Sequence, residues 1–284
     1  MDSRGNRDVV VAKNLVKRYK DGTLALNGIT LNLNRKVSVI LGQNGAGKTT
    51  MLRILSTQLL PTSGNAEIFG YDVVHDARKI RQMIVSIPQE ADPLPILTPY
   101  EHLEIFLAAN EMPKAQIDSV IIGIFKKLGL YDVRDKTADH LSGGMKRKIF
   151  VSMALASNAR LIFLDEPTLG LDPISRLEVW SAIKKLDCNV ILTTHYMEEA
   201  KVLGNEIVLM NSGRVNMQGS VKDLLKPLRG IMRVEGIGKG KLQFEIGGMN
   251  ISYMKSAEAL RYADRGLEIR QPDLEDLFIL EGIR

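Results

Sequence analysis

The sequence predicts an α/β fold with a buried parallel sheet, a helical subdomain inserted at about residues 92–159, and a small α+β appendage over residues 221–284. Three observations predict it. Short, predominantly apolar runs at residues 37–41, 161–164 and 190–194 alternate with stretches of helical periodicity, as strands covered on both faces require. Between Asp92 and Ala159 the β signals fade, and residues 101–109, 116–128 and 145–156 read as helices. After Gly219 the texture changes to alternating strands on either side of Gly247-Gly248, a two-residue hairpin turn.

The first strands are read at residues 9–11, 15–16 and 29–33, where Ile29, Leu31 and Leu33 alternate with polar residues. The continuous strand at 37–41 runs into Gly42-Gln43-Asn44-Gly45-Ala46-Gly47. A helix over 48–60 is expected next, with Met51, Leu52, Leu55 and Leu59 at helical spacing until Pro61 stops it. Strands at 161–164 and 190–194 follow, each trailed by a helix, and residues 1–220 are assigned to one domain. In the appendage, residues 242–246 and 250–253 pair across the Gly-Gly turn.

Composition narrows the class. With 284 residues, 45% hydrophobic and 25% charged, the chain fills a real core, which excludes a disulfide miniprotein and global disorder. Aromatic residues are only 5%, with Trp180 the single tryptophan, so stacking platforms for single-stranded nucleic acid are few. A net charge of +5 suits an anionic partner, whether nucleotide, acidic membrane surface or nucleic acid. Cys188 is the lone cysteine, Met1-Asp2-Ser3-Arg4-Gly5 has no apolar signal core, and no apolar stretch approaches the ~18 residues of a spanning helix, so a cytosolic protein is expected.

Three groups of residues carry chemistry. Gly42, Gly47, Lys48 and Thr49 satisfy G-x-x-x-x-G-K-[ST] between a strand and a helix, the context of a P-loop. Its glycines turn backbone N–H groups toward a polyphosphate, the helix dipole assists, Lys48 reaches the terminal phosphates and Thr49 ligates magnesium. Asp165 and Glu166 end a buried strand at the edge where open α/β sheets bind ligands. Asp165 suits magnesium and Glu166 an attacking water, although an acidic pair can also cap the next helix. Leu141-Ser142-Gly143-Gly144 opens a helix with a hydroxyl and flexible N–H groups, an anion site or a plain Ser N-cap.

Taken in order, Gly42 to Thr49, Gln89 in Ile87-Pro88-Gln89, Leu141-Ser142-Gly143-Gly144, Asp165-Glu166-Pro167-Thr168, Leu169-Gly170-Leu171-Asp172 and His195 in Thr193-Thr194-His195 resemble the ATP-binding subunit of an ATP-binding-cassette (ABC) transporter over residues 8–220. The resemblance implies a P-loop ATPase core with an antiparallel β subdomain, with ATP and magnesium as cofactors. It places Tyr19 on adenine and Asn44, Gly45, Ala46, Gly47, Lys48, Thr49 and Thr50 around the phosphates. Gln89 matches the glutamine that contacts magnesium and water while sensing the membrane partner, and His195 the histidine on the γ-phosphate. Ser142, Gly143, Gly144 and Asp172 match residues that reach the ATP of a second subunit, so that a head-to-tail dimer encloses two ATPs.

Met145 stands where much of the superfamily has Gln. Met145-Lys146-Arg147-Lys148, Tyr196-Met197-Glu198-Glu199-Ala200 and the ending Leu274-Glu275-Asp276-Leu277-Phe278 are similar to the drug-exporter branch. The function implied is ATP hydrolysis that powers a separate membrane permease, with a second subunit, from the cytoplasmic face of the cell membrane. The rival is a soluble ABC ATPase of DNA repair or chromosome maintenance, which splits its two halves by a long coiled coil. No sustained heptads lie between Lys48 and Ser142, and no specific nucleic acid is expected.

Other features are read as structural. Gly236-x-Gly238-x-Gly240 is taken as a turn, His75, His102 and His140 as surface or capping residues, Lys146-Arg147-Lys148 as a solvated helix face, and Trp180 as packing a helix onto the sheet. The 92–159 segment, entered through Pro93, Pro95 and Pro99, is expected to dock the permease, with Leu94 and Leu103 on that surface.

Overall fold

The computed structural model describes residues 8–238 and 242–280; Met1 to Gly5 and Gly240, which enter two of the readings above, lie outside them. The chain divides into two compact units between Met217 and Gln218.

The first unit opens with β1 (Val10–Arg18), β2 (Leu24–Leu33) and β3 (Val37–Leu41), the last feeding the glycine loop and α1 (Lys48–Leu55). Then come β4 (Ser63–Ile68), β5 (Tyr71–Asp72), α2 (Ala77–Arg81) and β6 (Ile84–Ile87). Helices α3 (Pro99–Ala109), α4 (Lys114–Leu128) and α5 (Gly143–Ala156) follow. The unit closes with β7 (Leu161–Asp165), α6 (Pro173–Lys184), β8 (Asn189–Thr194), α7 (Met197–Leu203), β9 (Glu206–Asn211) and β10 (Arg214–Gly219), the last strand running across the division.

One sheet is antiparallel, in the order β2-β1-β4-β5, and the other has the order β10-β9-β3-β8-β7-β6. In the second sheet β3 pairs in parallel with β8 and β9, and β7 with β6 and β8, so the carboxyl ends of β3, β7 and β8 share one edge. Helix α1 packs against β2 and β4 on one side and β7 and β8 on the other, burying Met51, Leu52, Ile54 and Leu55. That clamp fixes the helix N-terminus relative to the strand ends.

Two expectations change in detail. The strands at 9–11 and 15–16 are one strand, β1, broken in register between Ala12 and Leu15, where Asn14 takes φ 48°. The bulge changes the alternation, so Val10, Ala12 and Leu15 all face the core. Helix α1 stops at Leu55 rather than residue 60, because Thr57 adopts φ 63° and turns the chain before Pro61 is reached.

The helices α3, α4 and α5 pack on one another. Thr98 and Glu101 form a capping box at the start of α3, with Pro99 at its first position, and Gly129 at φ 63° ends α4. Leu103, expected on an outer face, is fully buried between these helices because it lies one turn before buried Leu107; Leu94, Ile96 and Ile105 are the exposed apolar residues. No helix among the described residues is long and apolar enough to cross a membrane.

The second unit contains α8 (Val221–Leu224), β11 (Ile231–Glu235), β12 (Leu242–Ile246), β13 (Met249–Lys255), α9 (Ser256–Ala259), β14 (Ile269–Arg270) and α10 (Leu274–Leu280). Its antiparallel sheet has the order β12-β13-β11-β14. Gly247 at φ 58° and Gly248 at φ 80° give the β12–β13 hairpin its turn, and Gly236 at φ 92° follows β11. Buried Asp276 ties α10 to this sheet by accepting from Arg233 at 2.8 Å, Tyr253 at 2.6 Å and Arg270 at 3.1 Å.

Candidate nucleotide site

The loop after β3 can take no side chain at its two ends. A Cβ at Gly42 would lie 2.4 Å from the Met210 carbonyl oxygen, and one at Gly47, whose φ is 97°, would lie 2.5 Å from that of Ala25. The loop therefore closes tightly around Lys48, whose Nζ donates to the carbonyls of Gly42 at 2.8 Å and Gln43 at 3.2 Å. A cleft of about 410 Å³ opens over it, lined by Tyr19, Thr23, Leu24, Ala25, Asn44, Gly45, Ala46, Gly47, Lys48, Thr49, Thr50, Gln89 and Glu166. Tyr19 and Thr50 hydroxyls meet at 3.2 Å.

The strand-end carboxylates reach the same place. Thr49 Oγ1 donates to Asp165 Oδ1 at 3.2 Å, and Thr193 donates to the same oxygen because β7 pairs Asp165 with Thr193 on β8. Glu166 sits just past β7 with φ 50°, a left-handed conformation that costs a non-glycine residue on the order of 1–3 kcal/mol. Its N–H donates to Thr193 O at 3.2 Å and Oγ1 at 3.1 Å. Held this way, Glu166 Oε1 lies 3.3 Å from Lys48 Nζ and Oε2 accepts from His195 Nδ1 at 2.9 Å. Neither carboxylate caps the helix that follows, which is capped by Asp172; Asp165 meets Thr49 and Glu166 meets Lys48 at the glycine loop.

The remaining predicted residues sit elsewhere. Ser142 is the N-cap of α5, its Oγ accepting from Met145 N–H at 3.2 Å, and Gly143 and Gly144 form the first turn. Asp172 is the N-cap of α6, accepting from Ile174 and Ser175 at 3.0 Å; the bonds from Ser175 head the causes that hold its carboxyl below the usual carboxylate range. None of these four lines the cleft of its own chain among the described residues.

Two structural readings need correction, those of the basic tripeptide and of His102. Arg147 and Lys148, read as solvated, are buried: Lys148 pairs with Glu178 at 2.5 Å, and Arg147 binds four backbone carbonyls. Trp180 donates from Nε1 to Glu199 at 2.9 Å, joining α6 to α7. Glu199, buried, also accepts from Thr168 at 2.8 Å, and burial pushes its carboxyl above the usual range. His102 is buried rather than on the surface, with bonds at both ring nitrogens. Thr23, Leu24 and Ala25 line the cleft without any motif to announce them, since only the pairing of β1 with β2 brings them there.

A parallel sheet with a glycine loop at one strand end, a buried lysine and a paired carboxylate defines a P-loop nucleotide-hydrolysing cassette. The family model described as ABC transporter matches residues 26–169, and the chain belongs to the ABC transporter family as an ATP-hydrolysing cassette. It is 37% identical over 214 residues to the phospholipid-transporting ATPase ABCA3 of Rattus norvegicus, covering 73% of this chain but 13% of that protein. It is 38% identical over 212 residues to the daunorubicin resistance ATP-binding protein DrrA3 of Streptomyces coeruleorubidus, covering 73% of this chain and 67% of that one. That similarity meets the expected likeness to the drug-exporter branch. Among solved structures, a dimeric ATP-binding cassette bound to ADP and Pi after hydrolysis superposes with a TM-score of 0.67 at 28% identity, covering 74% of this chain and 98% of that chain. The chain spans only about a tenth of the ABCA relatives.

Proposed function

We propose that this chain pairs with a second ATP-binding subunit, a copy of itself, around two ATP molecules and powers a separate integral-membrane permease, an exporter, from the cytoplasmic face of the membrane. The observation that carries the reading is the Glu166 carboxylate, buried between Lys48 and His195 in the cleft of the phosphate loop. Phosphoryl transfer to water depends on positioning and charge stabilisation, which such a carboxylate supplies.

In this reading Gly42, Asn44, Gly45, Ala46 and Gly47 shape the phosphate cradle, Lys48, Thr49 and Thr50 bind the phosphates, and Tyr19 stacks on adenine. Glu166 polarises the attacking water, His195 contacts the γ-phosphate, and Gln89 contacts the water and senses the permease. Asp165, Thr49 and Gln89 offer hard oxygen donors, and the 3.2 Å between Thr49 Oγ1 and Asp165 Oδ1 puts two of them side by side, a set that fits a magnesium ion keeping several of its waters. Magnesium held there would neutralise phosphate charge. Ser142, Gly143, Gly144 and Asp172, outside their own chain's cleft, are assigned to the ATP of the partner.

The name of DrrA3 supports export, and the solved dimer supports pairing. The test is ATP hydrolysis by the purified chain: magnesium-dependent phosphate release that collapses in Glu166→Gln supports the reading, and release that is absent or indifferent to Glu166→Gln overturns it.

A further inference from the structure

Arg147 lies in the second turn of α5, 92% buried by its 8% exposure, with its guanidinium between two loops. One terminal nitrogen, Nη1, donates to the carbonyls of Pro88 at 3.3 Å and Gln89 at 2.8 Å. The other, Nη2, donates to those of Asp165 at 2.9 Å and Glu166 at 2.7 Å. Its Nε has no partner, and although the Asp165 and Glu166 carboxylates attract the guanidinium through space, no carboxylate among the described residues comes within ion-pair distance of it. A buried cation without an ion pair is costly, and an apolar side chain would fill the same volume without that cost. The planar fork does what an apolar side chain cannot: it holds two separate stretches of backbone at a fixed distance.

We propose that Arg147 is a positioning residue for hydrolysis, fixing the strained backbone of Glu166 to the loop that carries Gln89 and to the helix capped by Ser142. Glu166 is gripped from both sides, its N–H by Thr193 and its carbonyl by Arg147, and that grip maintains φ 50° and aims the carboxylate at Lys48 and His195. Because the same guanidinium holds the Gln89 carbonyl and rides on α5, a shift of the helical segment is carried to the backbone of Glu166. The inference rests on the reading of Glu166 as the water-polarising carboxylate.

Steady-state hydrolysis by Arg147→Lys and Arg147→Gln tests it, since each can reach one loop but not span both. A misplacement of this kind should lower kcat about tenfold or more, while KM for ATP stays within about twofold because the phosphate loop is untouched. A thermal melt run alongside separates this from unfolding, and the more conservative Arg147→Lys should keep a melt close to that of the parent. Unchanged kcat, or a loss that appears only in KM, would overturn the proposal. Glu166→Gln in the same assay separates the two ideas. If it loses hydrolysis while Arg147→Lys keeps it, the positioning role alone fails; if Glu166→Gln hydrolyses normally, the premise fails and the proposal with it.

Discussion

The Lys48 ammonium lies 3.3 Å from Oε1 of Glu166, and both side chains are buried. The cation that should meet ATP is thus matched by the carboxylate that should polarise water, and incoming phosphates must compete with that carboxylate for Lys48.

It follows that Glu166→Gln should bind ATP at least as tightly as the parent, because the charge competing for Lys48 is gone, while turnover falls by a factor on the order of 10² or more. Lys48→Ala should weaken binding itself. Titration with a fluorescent nucleotide and a phosphate-release assay measure the two effects separately. Near-normal hydrolysis in the first variant, or unchanged affinity in the second, would contradict the assignments.

Assembly can be tested at Ser142, whose hydroxyl caps α5. Glu166→Gln with ATP should sediment as a dimer. Adding Ser142→Asp keeps an oxygen at the N-cap, where Asp serves as well as Ser, but sets a negative charge against the partner's phosphates. The double variant should return to monomer with its melting temperature held, and Ser142→Arg, which gives up the cap, should also return it to monomer by filling the phosphate space. Equal dimerisation in the doubles would refute the sandwich.

Tyr19 separates adenine stacking from strand packing. Tyr19→Ala should loosen ATP and GTP alike, by ~1 to 3 kcal/mol if base stacking sets the scale. Tyr19→Phe, which loses only the 3.2 Å contact with Thr50, should bind as the parent does. Equal affinity in Tyr19→Ala would leave this ring a purely structural residue.

Glu199 gives a pH dependence whose sign is fixed. Burial raises its carboxyl pKa above the ordinary 4.5, with bonds from Thr194, Trp180 and Thr168 opposing. A raised folded pKa means that the group's contribution to stability is fully present below 4.5 and is lost as pH climbs through the folded value. Glu199→Gln keeps an acceptor for Trp180 and Thr168 but cannot ionise, so its stability relative to the parent should improve as pH rises from 4.5. Urea denaturation across that window reads the difference, and a difference that does not change with pH would refute it.

The parts of the site that sequence revealed are local ones. The apolar run of β3, the glycines after it and the run of β7 before Asp165 each declare themselves within a few residues. Thr193 did not, because its bond to Asp165 depends on the parallel register of β7 and β8. Arg147 was hidden by its setting: a basic tripeptide reads as a solvated face, and only the packing of α5 against the carbonyls of two distant loops shows otherwise. The shortening of α1 comes from one backbone angle at Thr57, which no periodicity encodes. In the second unit the Gly-Gly hairpin was legible, but Asp276 gathers Arg233, Tyr253 and Arg270 from elements with no shared motif.

The last prediction concerns docking of the permease on the segment that follows Gln89. His102, buried in α3, accepts from Leu94 N–H at Nε2 over 2.9 Å and so carries its proton on Nδ1, which donates to Thr98 O at 2.8 Å. The same stretch is anchored where Ala138 N–H donates to Leu97 O at 2.9 Å and Asp139 N–H to Pro95 O at 3.1 Å. Pro93, Pro95 and Pro99 restrict what freedom is left. A braced loop of this kind presents Leu94, 60% exposed, and Ile96, 80% exposed, as an apolar contact that can pass displacement on rather than absorb it. In a Cys188→Ser background, Leu94→Cys and Ile96→Cys should crosslink to a co-expressed permease. Leu103→Cys should not, since that position is fully buried. His102→Ala should reduce the yield at Leu94 by releasing the loop while leaving ATP affinity of the isolated chain unchanged. Crosslinking that occurs only through the second unit, or equally well from Leu103, would rule this surface out.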